Sequence, residues 1–348
     1  MNICRFNRRS FLATGAAAGA LPLLPGRLFA AENLIAAVFG GSWSEVHRDI
    51  LKPCFEGDTG ATVSQSAMLA TEQISKLTAA GDSPPFDVAM MDEGPALEGI
   101  ERGFFAEYDP AKSPHFGELL PIFQDKYGPG VSVQAIGLAY NPETVEVPPT
   151  SWEDLWDPKY EGRVGITSLA STLGTAFLVE IARLNGGDEG NMGPAFAKLR
   201  TLLPNLGAVS ANFGAHAALF QQGVVDIGVQ NFNFAESLKA KGVPIEWVKP
   251  DTGAPAWKTS LHVVNNASQP DLAYAYIDCH LKASVQEEMA QPPFNVIPTN
   301  ATVPLSGMVK EKVAASKEDL ENLVYYDWSK INQGRDEWSQ QFNRDIRL

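Results

Sequence analysis

The sequence predicts an α/β protein of two lobes, each a doubly wound sheet, joined by crossing strands. Three observations predict it. Short apolar runs alternate with polar turns and amphipathic stretches in two separate series, the pattern of parallel sheets flanked by helices. Roughly 315 residues follow an N-terminal segment treated below, more than one hydrophobic core usually serves. No low-complexity linker divides them, so the chain is expected to cross between lobes more than once, near Ala139-Tyr140 and Thr259-Ser260-Leu261.

In the first series, residues 34–39 read as a buried strand running into Gly40-Gly41. Ser42-Trp43-Ser44-Glu45 then has the spacing of a capping box, with Ser42 and Glu45 opening a helix. Residues 61–66 are the next strand, with a helix from about Thr71. Residues 86–91 are a third, ending at Asp92-Glu93-Gly94-Pro95 before another helix. Residues 136–142 read as a strand leaving that lobe. The second series runs through a strand at 164–167, a helix at 172–184, a strand at 226–229 and a helix at 234–241. A strand at 261–264 and a strongly helical run at 271–280 follow.

The first residues carry an address. Arg5, Arg8 and Arg9 precede any acidic residue, and Arg8-Arg9-Ser10-Phe11-Leu12 sets paired arginines before an apolar run that ends near Leu24. That run is too short to span a bilayer, and Gly15, Gly19, Pro22 and Pro25 break it as a core helix. Residues 1–31 are therefore read as a twin-arginine signal peptide, sending the chain to the periplasm. The full chain carries 27 basic and 41 acidic residues, net −14; without Arg5, Arg8, Arg9 and Arg27 the balance is 23 to 41. So acidic a body is unsuited to nucleic acid or anionic membranes. Cys54 and Cys279 remain, either as a disulfide or as two buried free thiols.

Ligands of doubly wound sheets sit beyond the carboxyl ends of strands, where helices begin. Four turns qualify: 40–44, 92–94, 168–174 and 230–233. Helix N-termini suit anionic groups, whereas Asp92 and Glu93 suit an ammonium or guanidinium group. From local pattern alone, helix capping is the favoured role for Asp92. His47, His115, His216, His262 and His280 lack metal-ligand spacing, and each is read as a satisfied surface or core histidine. No nucleophile-elbow, phosphate-loop or paired-cysteine motif is present, so neither catalysis nor a cofactor or metal is expected.

A collinear set of motifs resembles the spermidine/putrescine-type solute-binding proteins of ABC importers. They are Ser42-Trp43-Ser44-Glu45, Phe86-Asp87-Val88, Ser151-Trp152-Glu153-Asp154-Leu155-Trp156-Asp157-Pro158, Pro255-Ala256-Trp257, Ala273-Tyr274-Ala275-Tyr276-Ile277-Asp278 and Pro298-Thr299-Asn300. The resemblance implies a two-lobed, type II periplasmic-binding-protein-like fold that closes on a small solute and serves an inner-membrane ABC permease. A monomer is expected. The expected lobes are 32–139 with 259–299, and 140–258 with 300–348. Carried over by position, Trp43 and Trp257 match aromatics that sandwich a polyamine chain. Thr172, Thr259 and Ser168 or Leu169 stand where the family places carboxylates, and Gln230 stands where it places a further tryptophan. Asp92 is the acid left in reach, and buried ammonium groups without carboxylates are costly. The expected ligand is therefore an amine-bearing or zwitterionic metabolite. The expected contacts are Ser42, Trp43, Asp92, Glu93, Ser171, Thr172, Gln230, Asn231, Trp257 and Thr259. Two alternatives stand beside it: a ferric-ion receptor using Tyr325-Tyr326, and an exported enzyme with scattered catalytic residues.

Overall fold

The structure, a computed structural model, describes residues 33–211 and 213–346; the expected signal peptide lies outside them. In chain order β1 (Asn33–Val38) leads to α1 (Ser42–Val46) and α2 (Lys52–Thr59). Next come β2 (Thr62–Ala67), α3 (Ala70–Ala80), β3 (Val88–Asp92) and α4 (Glu93–Glu101). The long β4 (Gly130–Tyr140) precedes β5 (Val164–Thr167), α5 (Thr172–Leu184), α6 (Gly193–Arg200) and β6 (Leu206–Ser210). Then follow α7 (Phe213–Gln221), β7 (Ile227–Asn231), α8 (Phe232–Ala240), β8 (Glu246–Val248) and β9 (Pro255–Val263). The chain closes with α9 (Pro270–Leu281), α10 (Ala283–Met289), α11 (Lys317–Glu321), β10 (Val324–Tyr325) and α12 (Trp328–Asp345).

The strands form one mixed sheet in the order β2-β1-β3-β9-β4-β7-β5-β6, with β10 added to β9 and β8 to β4. Its two ends are parallel, as the strand–helix alternation predicts: β1 with β2 and β3, and β5 with β6 and β7. The middle is antiparallel, and here β4 and β9 carry the fold. β4 pairs with β9 through Gly130–Ala135 and with β7 through Ile136–Tyr140. All eleven residues of β4 are buried, and those of β3 and β7 likewise, with the polar residues of β3 and β7 at their carboxyl ends. Gly137 is required on β4, because a Cβ there would sit 2.4 Å from the Val248 carbonyl oxygen.

One local expectation is corrected. The first helix begins at Ser42, with Gly41 as its N-cap and no side-chain cap bond, so Ser42 and Glu45 form no capping box. Gly41 needs φ of 69° there, which glycine adopts freely, and the Ser44 hydroxyl instead donates to the Phe39 carbonyl at 2.8 Å. The C-terminal segment also touches both halves of the sheet. On α12, Asn332 donates to the Gly94 carbonyl at 2.8 Å, while Asp345 pairs with Arg200 of α6.

Candidate functional site

Each of the four nominated turns follows a strand end: β1 runs into α1, β3 into α4, β5 into α5 and β7 into α8. Local order explains how their side chains are aimed. Ser171 caps α5, its hydroxyl accepting from the Leu173 N–H at 3.2 Å, which leaves the next residue, Thr172, free to face Asp92. Asp92 occupies the N-cap position of α4 but makes no cap bond, which overturns the capping role. Its carboxylate accepts instead from the Thr259 hydroxyl at 3.2 Å, across the β3–β9 pairing that sets these two residues opposite each other.

Asp92 is 3% exposed, and burial raises its pKa. The Thr172 hydroxyl, the Trp257 indole N–H, the Thr259 hydroxyl and the positive charge of Arg335 oppose that rise. Of the three uncharged groups, only Thr259 closes to hydrogen-bonding distance; the Trp257 N–H has no protein acceptor. Trp257 and Thr259 share one face of β9, and Gln134 of β4 lies opposite Trp257 in register. Gln134 accepts from the Asn231 side-chain amide at 3.0 Å, linking this group to the end of β7. Gln230 uses its side-chain oxygen on the Asn231 backbone N–H at 3.0 Å.

Several buried polar atoms on these same elements have no protein partner. They are the Ser42 and Thr167 hydroxyls, the Gln134 and Gln230 side-chain nitrogens and the Asn231 side-chain oxygen, with the Trp257 N–H. Leaving such atoms unpaired is costly, so those near Asp92 are available to a ligand; other unpaired atoms, such as the Tyr108 hydroxyl and the Trp152 N–H, lie elsewhere among the described residues.

The predicted residues divide. Asp92, Thr172, Trp257 and Thr259 converge, and Asn231 reaches them through Gln134. Glu93 does not: its carboxylate accepts from the Lys258 N–H at 3.3 Å and lies 3.8 Å from Lys258 Nζ. Glu93 and Lys258 line a separate cavity of about 70 Å³ with Phe123, Ser260 and His262, on the other face of β9. Trp43 is 1% exposed and packs against His47 and His280, at ring separations of 6.1 and 6.2 Å. Trp257 is fully buried and packs against Trp328 with the two rings near-perpendicular, 6.3 Å between centroids. Arg335, Gln134 and Thr167 were absent from the predicted set. Gln134, an amide in an apolar strand, carried a readable signal; Arg335, on α12 and far along the chain, carried none.

Other expectations resolve by hydrogen bonding. The Tyr326 hydroxyl donates to Glu180 at 2.7 Å and that of Tyr325 to the Leu320 carbonyl at 3.0 Å, so the two tyrosines share no partner. His115, His216 and His262 are satisfied, but His280 has no partner at either ring nitrogen and His47 none at Nε2. Among the described residues, one group offers three metal-capable atoms within 4.8 Å: Cys54, Asp58 and Cys279, on α2 and α9 rather than at the strand ends.

The chain is 25% identical over 339 residues to a spermidine/putrescine-binding periplasmic protein of Salmonella typhimurium, covering 92% of this chain and 91% of that one. It is 24% identical over 189 residues to a gamma-aminobutyric acid-binding protein of Pseudomonas aeruginosa, covering 50% and 52%. In fold it matches the spermidine/putrescine ABC transporter substrate-binding protein PotD of Streptococcus pneumoniae, with TM-score 0.71 and 20% identity over 91% of this chain and 100% of that one. No helix among the described residues is long and apolar enough to cross a membrane. The family model for bacterial extracellular solute-binding proteins matches residues 83–334, and the chain belongs to that family.

Proposed function

We propose that this protein captures a small amine-bearing or zwitterionic solute in the periplasm, by closure of two lobes, and delivers it to an inner-membrane ABC permease. The observation that carries the ligand class is Asp92: a buried carboxylate with one protein hydrogen bond, beside the unpaired Trp257 N–H. An ammonium group satisfies it. Arg335, half-buried and close enough to act on Asp92, supplies a cation for the carboxylate of a zwitterion. A spermidine-like ligand has several ammonium groups and finds too few buried carboxylates here, which favours a shorter ligand with one amine. The relatives' named ligands, polyamines and gamma-aminobutyrate, span these two cases.

The lobes are taken as 32–139 with 259–299 and 140–258 with 300–348. The change of partner on β4 between Ala135 and Ile136 favours a hinge a few residues earlier than Ala139. Export through residues 1–31 as a twin-arginine signal completes the reading. Titration calorimetry against putrescine, spermidine and γ-aminobutyrate, with small-angle scattering of free and loaded protein, tests it. Binding of a monoamine with a smaller radius of gyration supports the proposal. Tight binding of a purely anionic solute, or an unchanged radius at saturation, overturns it.

A further inference from the structure

We propose that Cys54 and Cys279 form a disulfide that ties α2 to α9. The two sulfur atoms lie 2.8 Å apart, on helices that pack against each other. Cys54 is half-buried and Cys279 is 1% exposed, so one sulfur is reachable from solvent and its partner is held behind it. Beside them, the Asp58 carboxylate lies 3.2 Å from Cys279 Sγ and 3.9 Å from Cys54 Sγ, and it is paired with the Lys282 ammonium at 2.5 Å.

The same three side chains could be taken for a soft-metal site, and the geometry argues against it. Two thiolates bound to zinc at about 2.3 Å, at a tetrahedral angle, stand roughly 3.8 Å apart. The observed separation is about 1 Å shorter than that, and closer to the disulfide bond length of about 2.05 Å. Lys282 already neutralises Asp58 and repels a cation.

The chemistry needs a disulfide-bearing oxidant, such as oxidised glutathione or a thiol oxidoreductase. The Cys54 thiolate attacks one sulfur of that disulfide, forming a mixed disulfide and releasing the first thiol. Cys279 Sγ then attacks Cys54 Sγ and expels the second. Two thiols lose two electrons and two protons, the oxidant's disulfide gains the electrons, and the protons pass to the released thiolates or to water. Burial holds the Cys279 thiol well above its ordinary pKa, which makes Cys54 the first attacker. The product joins two stretches 225 residues apart in sequence, binding the return segment of the chain to its first helices.

For its compartment the proposal rests on the export reading; for its geometry it does not. The test therefore has two arms. The full chain, purified and reduced, is equilibrated with oxidised glutathione, then digested without reductant and analysed by mass spectrometry. A Cys54–Cys279 linked peptide, lighter by two hydrogens, with a melting temperature raised over the reduced protein, supports the proposal; Cys54→Ser should show no such rise. Two alkylatable thiols after oxidation, or stoichiometric zinc retained by the reduced protein, overturns it. The second arm traps thiols in protein taken directly from the cell envelope. Free thiols there, with a disulfide formed in vitro, count against the export reading and leave the pair supported.

Discussion

Glu180 and Asp92 are both carboxylates withdrawn from solvent, and the protein surrounds them in opposite ways. Glu180, on α5, accepts two bonds from Arg183 at 2.9 and 2.8 Å, one from the Tyr326 hydroxyl at 2.7 Å and one from the Thr252 hydroxyl at 3.2 Å. Asp92, on β3, has the Thr259 hydroxyl and the more distant charge of Arg335. The first site is complete without any other molecule, and it fastens α5 to the segment before α12. The second is incomplete, and the Trp257 N–H beside it also lacks a protein acceptor. Burial alone therefore does not distinguish a structural acid from a binding one; the tally of partners does.

The comparison breaks first at Glu180. Glu180→Ala should cost about 3 kcal/mol of stability, less than a wholly buried pair would, because the Arg183 side chain is 43% exposed and can rehydrate. Urea unfolding measures this, while the affinity of the folded variant should match the parent; an affinity loss with unchanged stability would invert the assignment. Asp92→Asn should do the reverse. It should weaken solute binding by about 2–3 kcal/mol, roughly 30- to 150-fold in Kd, and leave the free protein as stable as before or more so. Calorimetry giving an unaltered Kd would reduce Asp92 to a packing residue.

Much of this frame was legible in the chain. The parallel ends of the sheet follow from apolar runs punctuated by Gly40-Gly41, Asp92-Glu93 and Ser171, and the strand at 164–167 and helix at 172–184 were bounded correctly. The antiparallel centre was not read in full, because the β4–β9 pairing joins residues more than a hundred positions apart and no local pattern encodes it. The same distance hid Arg335. Glu93 was misplaced for a different reason: it follows Asp92 directly, and the chain's turn into α4 sends its carboxylate to Lys258, across β9 from Thr259. Trp43 and Trp257 illustrate a third limit. Motif position identified both, but whether an indole offers its face or only its N–H depends on neighbours such as Trp328 and His280.

A gentler perturbation sharpens the comparison. The Thr167 hydroxyl is buried without a partner, and valine keeps its shape. Thr167→Val should leave thermal stability unchanged or raise it, since no protein hydrogen bond is lost. If the hydroxyl meets the solute, binding should weaken by about 0.5–1.5 kcal/mol. A destabilised variant with parental affinity would mean that Thr167 serves the fold.

The smallest effect is the dependence on pH, and its sign is fixed by the direction of the Asp92 shift. Burial raises the folded pKa above the unfolded one, so between those values the free native state holds a proton that the unfolded chain has released. The Asp92 contribution to free-protein stability therefore falls as pH rises through that window. His216, His262 and His280, held down to about 4 by burial, act in the opposite sense, since protonating the unfolded chain removes stability as pH falls below the ordinary histidine value. Stability curves mix the two, whereas affinity separates them. A cationic solute pairs with ionised Asp92, so binding should tighten with rising pH until the free protein has lost that proton, and level off above it. Calorimetry in two buffers of different ionisation enthalpy should register proton release on binding below the plateau. Glu93, whose pKa burial also raises, is the competing source, and Glu93→Gln should leave the profile in place while Asp92→Asn flattens it. A profile unchanged in Asp92→Asn would assign the proton elsewhere and dissolve the contrast with Glu180.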